Sequence, residues 1–511
     1  MTTLAHASLE WSLASLAVHG DTDILPRPPE FAIWATNSAK ALSWLAGVDL
    51  SKRQALPSRR FIVPKDDLSY RAATQLDPID SLLLTAALHQ YGGLIEARRT
   101  PIVAQKVFSY RFSPSAAGDL YDRDGSWNAF WRRALALAPE YDYILVADIA
   151  DFYNQVYHHT VENQLVESGW PNQVTRYLLR VLEGMTAKVS RGLPIGPHLA
   201  HLLAEATLIP VDNSLSAKGI PFLRYVDDIF LFAKDVDAAR TLNFQLAEVL
   251  DKQQRLHLQK GKTRIMERKA FVAHCKTMIE DRPINDLEKH LLGIIAKYSK
   301  GDPYRLILLS DVHDDDLREF TKEAIETILQ DYLRANPVDF IRLRWFLRRL
   351  AQVGHPAAIG YCLNNIRLLI PALSEVCRYF IAVSDSGAEV DWPSVGDQII
   401  ALFDDQLIQS NEYFLISLFA LFGIEPDLNH LPSLIQRYKS SAPFIRREII
   451  LAAWKADLGD WLRELKEDFR GMDHWTRRAF LIAVSTLPPD ERKFFLSSVQ
   501  DPDALDKLLA S

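Results

Sequence analysis

Two short apolar runs, each ending on acid, stand out from the hydrophobic patterning of the chain. Arg224-Tyr225-Val226-Asp227-Asp228-Ile229-Phe230-Leu231-Phe232 places two adjacent aspartates between aromatic and aliphatic residues. That pattern predicts two strands of a tight hairpin with both carboxylates at the turn. Upstream, Tyr143-Ile144-Leu145-Val146-Ala147-Asp148 reads as a buried strand ending on a third acid, with Tyr153 five residues on. Helical spacing of Leu9, Leu13 and Leu16, then of Phe31, Trp34, Ala35, Leu42 and Leu45, predicts N-terminal helices separated by Pro26, Pro28 and Pro29. Phe61 to Lys65 reads as a strand, 66–71 leads toward a helix beginning near Asp80, and Val107 to Phe112 is a short extended segment. Asn172 to Met185 reads as helix and 192–197 as a glycine-containing loop, with another helix from Leu199. Ala270 to Ile279 reads as a last strand, closed by Pro283. From Asp286 onward helical periodicity dominates. Phe444 to Ala452 and Trp475 to Ala483 match in pattern, with Phe340 to Trp345 a looser copy, which predicts stacked helical hairpins.

Adjacent acids repel unless a cation or water lies between them. Pairing the two strands sets Asp148 opposite Asp227 and Asp228. Three carboxylates then offer the hard oxygen ligands that magnesium prefers, and two such ions can activate an attacking hydroxyl and stabilise leaving pyrophosphate. An ordinary solvated turn is the alternative for the Asp-Asp pair taken alone.

Composition narrows the picture. A chain of 511 residues, 48% hydrophobic and 24% charged, is ordinary globular material for two or three domains. Cys275, Cys362 and Cys377 are too few and scattered for a disulfide framework or zinc site, which points to a reducing cytoplasm. No apolar run approaches the roughly 20 residues of a membrane span, and the N-terminus lacks the basic start of a secretory signal. A net charge of −7 requires basic residues to be concentrated in one groove, or little nucleic acid to be held at a time. Basic residues do gather between Lys52 and Arg133, Arg123 among them, interleaved with Phe61, Tyr70, Phe108, Tyr110 and Trp131. His158-His159 opens a predicted helix, where adjacent side chains diverge, so a structural role is expected. The paired arginines of the helical repeats read as a solvated helix face, or as a stripe that carries phosphates.

The two acidic strands resemble motifs A and C of reverse transcriptases, the latter being the aromatic-x-Asp-Asp box. Arg191-Gly192-Leu193-Pro194-Ile195-Gly196-Pro197, continued by Leu199 to Glu205, resembles motif B, and Lys262-Thr263 resembles the Lys-Thr of motif D. All four occur in the family's order. The resemblance implies an α+β fold, a right-hand polymerase fingers-palm core over 1–280, followed by an all-α HEAT-like repeat domain over 281–511. It implies catalysis by Asp148, Asp227 and Asp228 with Lys262 as general acid, and two Mg2+ (or Mn2+) ions at Asp148, Ile149, Asp227 and Asp228. It implies nucleotide contacts at Lys65, Arg71, Tyr153, Gly196 and Pro197, with Tyr153 the steric gate that selects deoxynucleotides. Arg111, in a Ser-Tyr-Arg element, is a nucleic-acid contact or the partner of a carboxylate.

Departures sharpen the family. Ile195 and Ala200 stand where retroelement enzymes usually carry Gln and often Ser, and Gln259 stands for the usual Asn, which puts templated copying in doubt. No thumb, ribonuclease H, integrase, endonuclease or maturase segment is recognisable. The combination resembles the AbiK-like, abortive-infection branch of defence-associated reverse transcriptases. Membership there implies untemplated DNA synthesis from dNTPs, priming on a protein hydroxyl whose residue is not evident, single-stranded DNA product attached to the protein, assembly as trimers or hexamers, and a phage-encoded trigger. Two rivals are an RNA-templated, retron-like reverse transcriptase and a non-catalytic interaction protein whose helical repeats act alone.

Overall fold

The computed structural model describes residues 1–122, 126–279, 282–300, 306–499 and 504–510. Arg123, and the expected boundary at 280/281, lie outside the described residues. The chain divides into two units. One comprises Met1–Asp23, Arg27–Arg60 and Ala73–Asp281, and the other Ile24–Pro26, Phe61–Ala72 and Arg282–Ser511.

The first unit is built on a four-stranded antiparallel sheet of order β4-β5-β3-β6: β3 (Tyr143–Asp148), β4 (Phe222–Tyr225), β5 (Asp228–Ala233) and β6 (Arg264–Glu267). β3 and β5 read as continuous apolar runs rather than alternating ones because both of their faces are covered. On one face Ile144, Val146, Phe230 and Phe232 pack with Phe130, Trp131 and Ala134 of helix Ser126–Leu137 and with Phe271 and Cys275 of helix Arg268–Ile279. On the other lies helix Val236–Gln254, capped where Asp235 accepts from the Ala238 N–H. Helix Leu199–Ala217 is buried nearly all round, as its apolar sequence requires.

One expected strand is a helix. Residues 270–279 lie within helix Arg268–Ile279, where Phe271 and Cys275, four apart, face the sheet. The segment around Val107 to Phe112 makes isolated bridges, Val107 with Arg224 and Phe112 with Tyr121, rather than a strand. The predicted helices near the N-terminus are His6–His19, Glu30–Thr36 and Ser38–Leu45, with Leu9, Leu13, Leu16, Phe31, Trp34, Leu42 and Leu45 all buried.

Strands β1 (Arg59–Pro64) and β2 (Tyr70–Gln75) form a two-stranded ribbon whose segment 61–72 groups with the second unit. Within that unit Phe61 meets Phe444 edge to face, and Asn411 Nδ2 donates to the Ile62 carbonyl at 2.9 Å. The described residues after 282 hold helices and no strand. Helix after helix opens on an Asp, Asn or Thr that accepts from the first turn, as at Asn285, Thr321, Asp339, Asp391 and Asp473.

The matched segments Phe444 to Ala452 and Trp475 to Ala483 fall in helices Pro443–Lys455 and His474–Ala483, and the first arginine of each pair repeats the same contacts. Arg446 stacks on Tyr438 and donates to the Tyr438 and Lys439 carbonyls. Arg477 stacks on Phe469 and donates to the Phe469 and Arg470 carbonyls. The second arginine of each pair, Arg447 and Arg478, is fully buried. The solvated-face reading holds for one member of each pair, exposed Arg477 and half-buried Arg446, which ties off the end of the preceding turn, and fails for the other, which fills the core.

Candidate active site

The register of β3 against β5 makes Asp148 and Asp228 direct cross-strand partners. Directly opposed residues in an antiparallel pair point to the same face, so the two carboxyls share one side of the sheet. Asp227 precedes β5 in the turn, and the Ile149 N–H donates to its carbonyl at 3.2 Å. Asp148 is 6% exposed and the other two acids are half-buried. Burial pushes the Asp228 carboxyl up to about 7, and the charges of Asp227 and Asp148 push it the same way. Lys262 Nζ lies 2.6 Å from Asp148 Oδ2. Burial works to lower this ammonium's pKa, but the carboxylates of Asp148, Asp227 and Asp228 together hold it above its ordinary value.

Among the described residues no group of three or more His, Cys, Asp or Glu is already drawn together as a metal cage. The donor set nevertheless fits a hard divalent cation. Three acids, two on adjoining strands and one in the turn between β4 and β5, carry a mutual repulsion that adds to burial in raising Asp228 and that a bound cation would relieve. Ile149 has no side-chain donor, so only its backbone carbonyl could join them.

Tyr153, on the short helix Phe152–Gln155, shares a 2.7 Å hydrogen bond between its hydroxyl and His201 Nδ1. Burial lowers His201 to about 3, so the ring is neutral, and it stacks on Tyr110 with centroids 3.9 Å apart. Tyr121 meets both rings edge-on. Gly196 has φ +125°, and a Cβ there would stand 3.0 Å from Thr22 Oγ1 and from the Thr74 carbonyl. A side chain at this position would therefore crowd both neighbours. Pro197 is buried and begins the turn into helix Leu199–Ala217. Lys65 and Arg71 belong to the second unit. There the Arg344 guanidinium donates to the Lys65 carbonyl, and Arg71 is half-buried and electrostatically linked to Arg344 and Tyr413. Arg111 pairs with Glu96 at 2.5 Å, the carboxylate alternative. His158 Nε2 donates to the Gly192 carbonyl at 2.9 Å, a structural contact.

Sequence reasoning passed over the charges behind the hairpin. Arg224, wholly buried, meets Asp212 at 2.6 and 2.8 Å and Glu205 at 3.0 and 3.2 Å. Glu205 is also met by Arg99 at 2.6 Å and by Ser109 Oγ at 2.5 Å. Burial would raise the Glu205 carboxyl, but Arg224 and Arg99 hold it below the usual range. The signal was present: Glu205 and Asp212 interrupt an otherwise apolar helix, and acids so placed need buried partners.

No curated protein matches the chain. A solved structure of telomerase from Candida albicans, in complex with a fragment of telomeric RNA, is similar at 12% identity and a TM-score of 0.32, covering 74% of this chain and 69% of that one. The family model for reverse transcriptase (RNA-dependent DNA polymerase) matches residues 63–295, the span that holds all three acids and Lys262. Residues 63–295 are thus a reverse transcriptase domain, and the protein is an enzyme of the RNA-directed DNA polymerase class, a nucleotidyltransferase.

Proposed function

We propose that the chain is an anti-phage defence polymerase of the AbiK-like kind. It adds dNMPs to a protein hydroxyl without a template and works as a homo-oligomer whose second unit is a HEAT-like scaffold. The observation that carries the chemistry is the cross-strand pairing of Asp148 with Asp228 beside Asp227. Ile195 and Ala200 in the loop-helix after Arg191 support the absence of a template.

Reverse transcriptases generally use divalent metals such as Mg2+. Held by Asp148, Asp227, Asp228 and the Ile149 carbonyl, two such ions would supply charge neutralisation for the attacking oxygen and the leaving pyrophosphate. The chain's own groups do the rest. Lys262, kept protonated by the acids around it, stands ready to give a proton to the departing phosphate oxygen. The Tyr153 ring, fixed at its hydroxyl by His201, would exclude a ribose 2′-hydroxyl and so select deoxynucleotides.

Purified protein incubated with Mg2+ and single dNTPs tests the proposal, read by intact mass. Added mass in dNMP increments without nucleic acid supports it. Product that appears only with added RNA supports the templated, retron-like rival instead.

A further inference from the structure

The turn that carries Asp227 and Asp228 is strained. Val226 has φ +54°, a left-handed conformation that a β-branched residue adopts only when its surroundings force it. Both polar groups of this residue are taken by side chains rather than by the sheet. Its N–H donates to Ser109 Oγ at 2.9 Å, and its carbonyl accepts from Arg224 Nη1 at 3.0 Å. Ser109 is 0% exposed, so the hydroxyl has no competing solvent. Having one proton, it donates to Glu205 Oε1 and accepts from Val226.

Ser109 is itself held fast. Its carbonyl accepts from Arg99 at 2.7 Å, and the residues before it are zipped to β4 through Phe108 N–H to the Arg224 carbonyl and Arg224 N–H to the Lys106 carbonyl. A chain of contacts thus runs from Glu205, anchored by two arginines, through one hydroxyl to the N–H of Val226, the residue immediately before Asp227. Removing that hydroxyl leaves a buried N–H without an acceptor, and the turn can shed strain only by moving the acids it carries.

We infer that Ser109 is a positioning residue for nucleotidyl transfer: its hydroxyl locks Val226 in the strained conformation that presents Asp227 and Asp228 opposite Asp148. This inference rests on the polymerase reading proposed above.

Ser109→Ala tests it, with two readouts in the full-length protein. Hydrogen exchange at the Val226 amide is expected to be about tenfold faster or more, and this readout does not depend on catalysis. In dNMP incorporation, kcat is expected to fall about tenfold or more while KM for dNTP stays within about threefold. Val226→Gly in the same background should recover most of the lost kcat, because glycine takes positive φ without strain. If Ser109→Ala fails to fold, Ser109→Cys, whose thiol is a weaker hydrogen-bonding group, should give intermediate exchange and kcat. Wild-type kcat with unchanged protection overturns the inference, as does a kcat loss that Val226→Gly leaves in place. A wild-type protein that incorporates no nucleotide overturns the polymerase reading. Exchange still decides the clamp in that case: faster exchange upholds it and unchanged protection refutes it.

Discussion

Both units bury arginine completely, and they do so for different ends. In the first unit Arg224 is shared between Asp212 and Glu205 and reaches the Val226 carbonyl, so a network of formal charges terminates on the turn that carries Asp227 and Asp228. In the second, Arg447 donates to the Trp475 carbonyl and lies over the Trp475 ring, while Arg478 meets Asp506 at 3.0 Å. Arg446 and Arg477, next to them, recur with equivalent partners, while Arg447 and Arg478 recur in position and burial with different ones. A buried charge that is repeated holds neighbours together; one that occurs once beside a strained turn fixes a particular geometry.

That contrast can be broken most severely at the acids themselves. Asp227→Asn with Asp228→Asn should reduce nucleotide incorporation by about a thousandfold or more. Thermal unfolding should show no loss of stability, since ionised Asp228 is already disfavoured in the fold. Next, Arg224→Met and Arg447→Met should each destabilise by about 3–5 kcal/mol in chemical denaturation, the usual effect of stripping one member from a buried polar cluster. They should separate in specific activity: folded Arg224→Met loses incorporation, and folded Arg447→Met keeps it. Equal activity in the two variants would erase the distinction drawn here. Lys262→Ala should cost about ten- to a hundredfold in kcat with the fold intact, seen as a loss of the basic limb in the pH–rate profile.

The smallest effect concerns a buried acid away from the hairpin. Asp80 accepts from the Tyr177 hydroxyl at 2.6 Å and from the Leu56 N–H at 2.7 Å. Burial, then the nearby charge of Asp77, raise it to about 7. A carboxyl whose folded value exceeds its unfolded value of 3.8 contributes stability that is complete below about pH 4 and is lost as pH climbs through about 7. Melting temperature should therefore fall by a few degrees over that interval, and a carboxyl NMR titration of Asp80 should centre near neutrality. A midpoint near 4 would refute this.

How much was legible varied with the kind of interaction. β3, β5 and the turn were readable because aliphatic runs ending in acid have few other uses, and the helix Asn172–Met185 was bounded correctly by Pro171 and its periodicity. Residues 270–279 were not, because a short apolar run with Phe271 and Val272 satisfies strand and helix patterns alike, and only packing against β3 chooses. The ribbon segment 61–72, most of it inside the matched reverse transcriptase span, also touches Phe444, Asn411 and Arg344, hundreds of residues away and beyond any local pattern. At Gly196 the neighbours a Cβ would crowd are Thr22 and Thr74, more than a hundred residues away in the chain.

By itself the sequence determined which residue types could do chemistry and where strands would carry them, because hydrophobic periodicity and acid placement are local properties of the chain. Only the tertiary structure decided that Asp148 faces Asp228 in register, that Lys262 reaches Asp148, and that Ser109 holds Val226. Those contacts join segments far apart in the chain. Their energy comes from removing charges and peptide groups from water together, a condition no single stretch of sequence can satisfy alone.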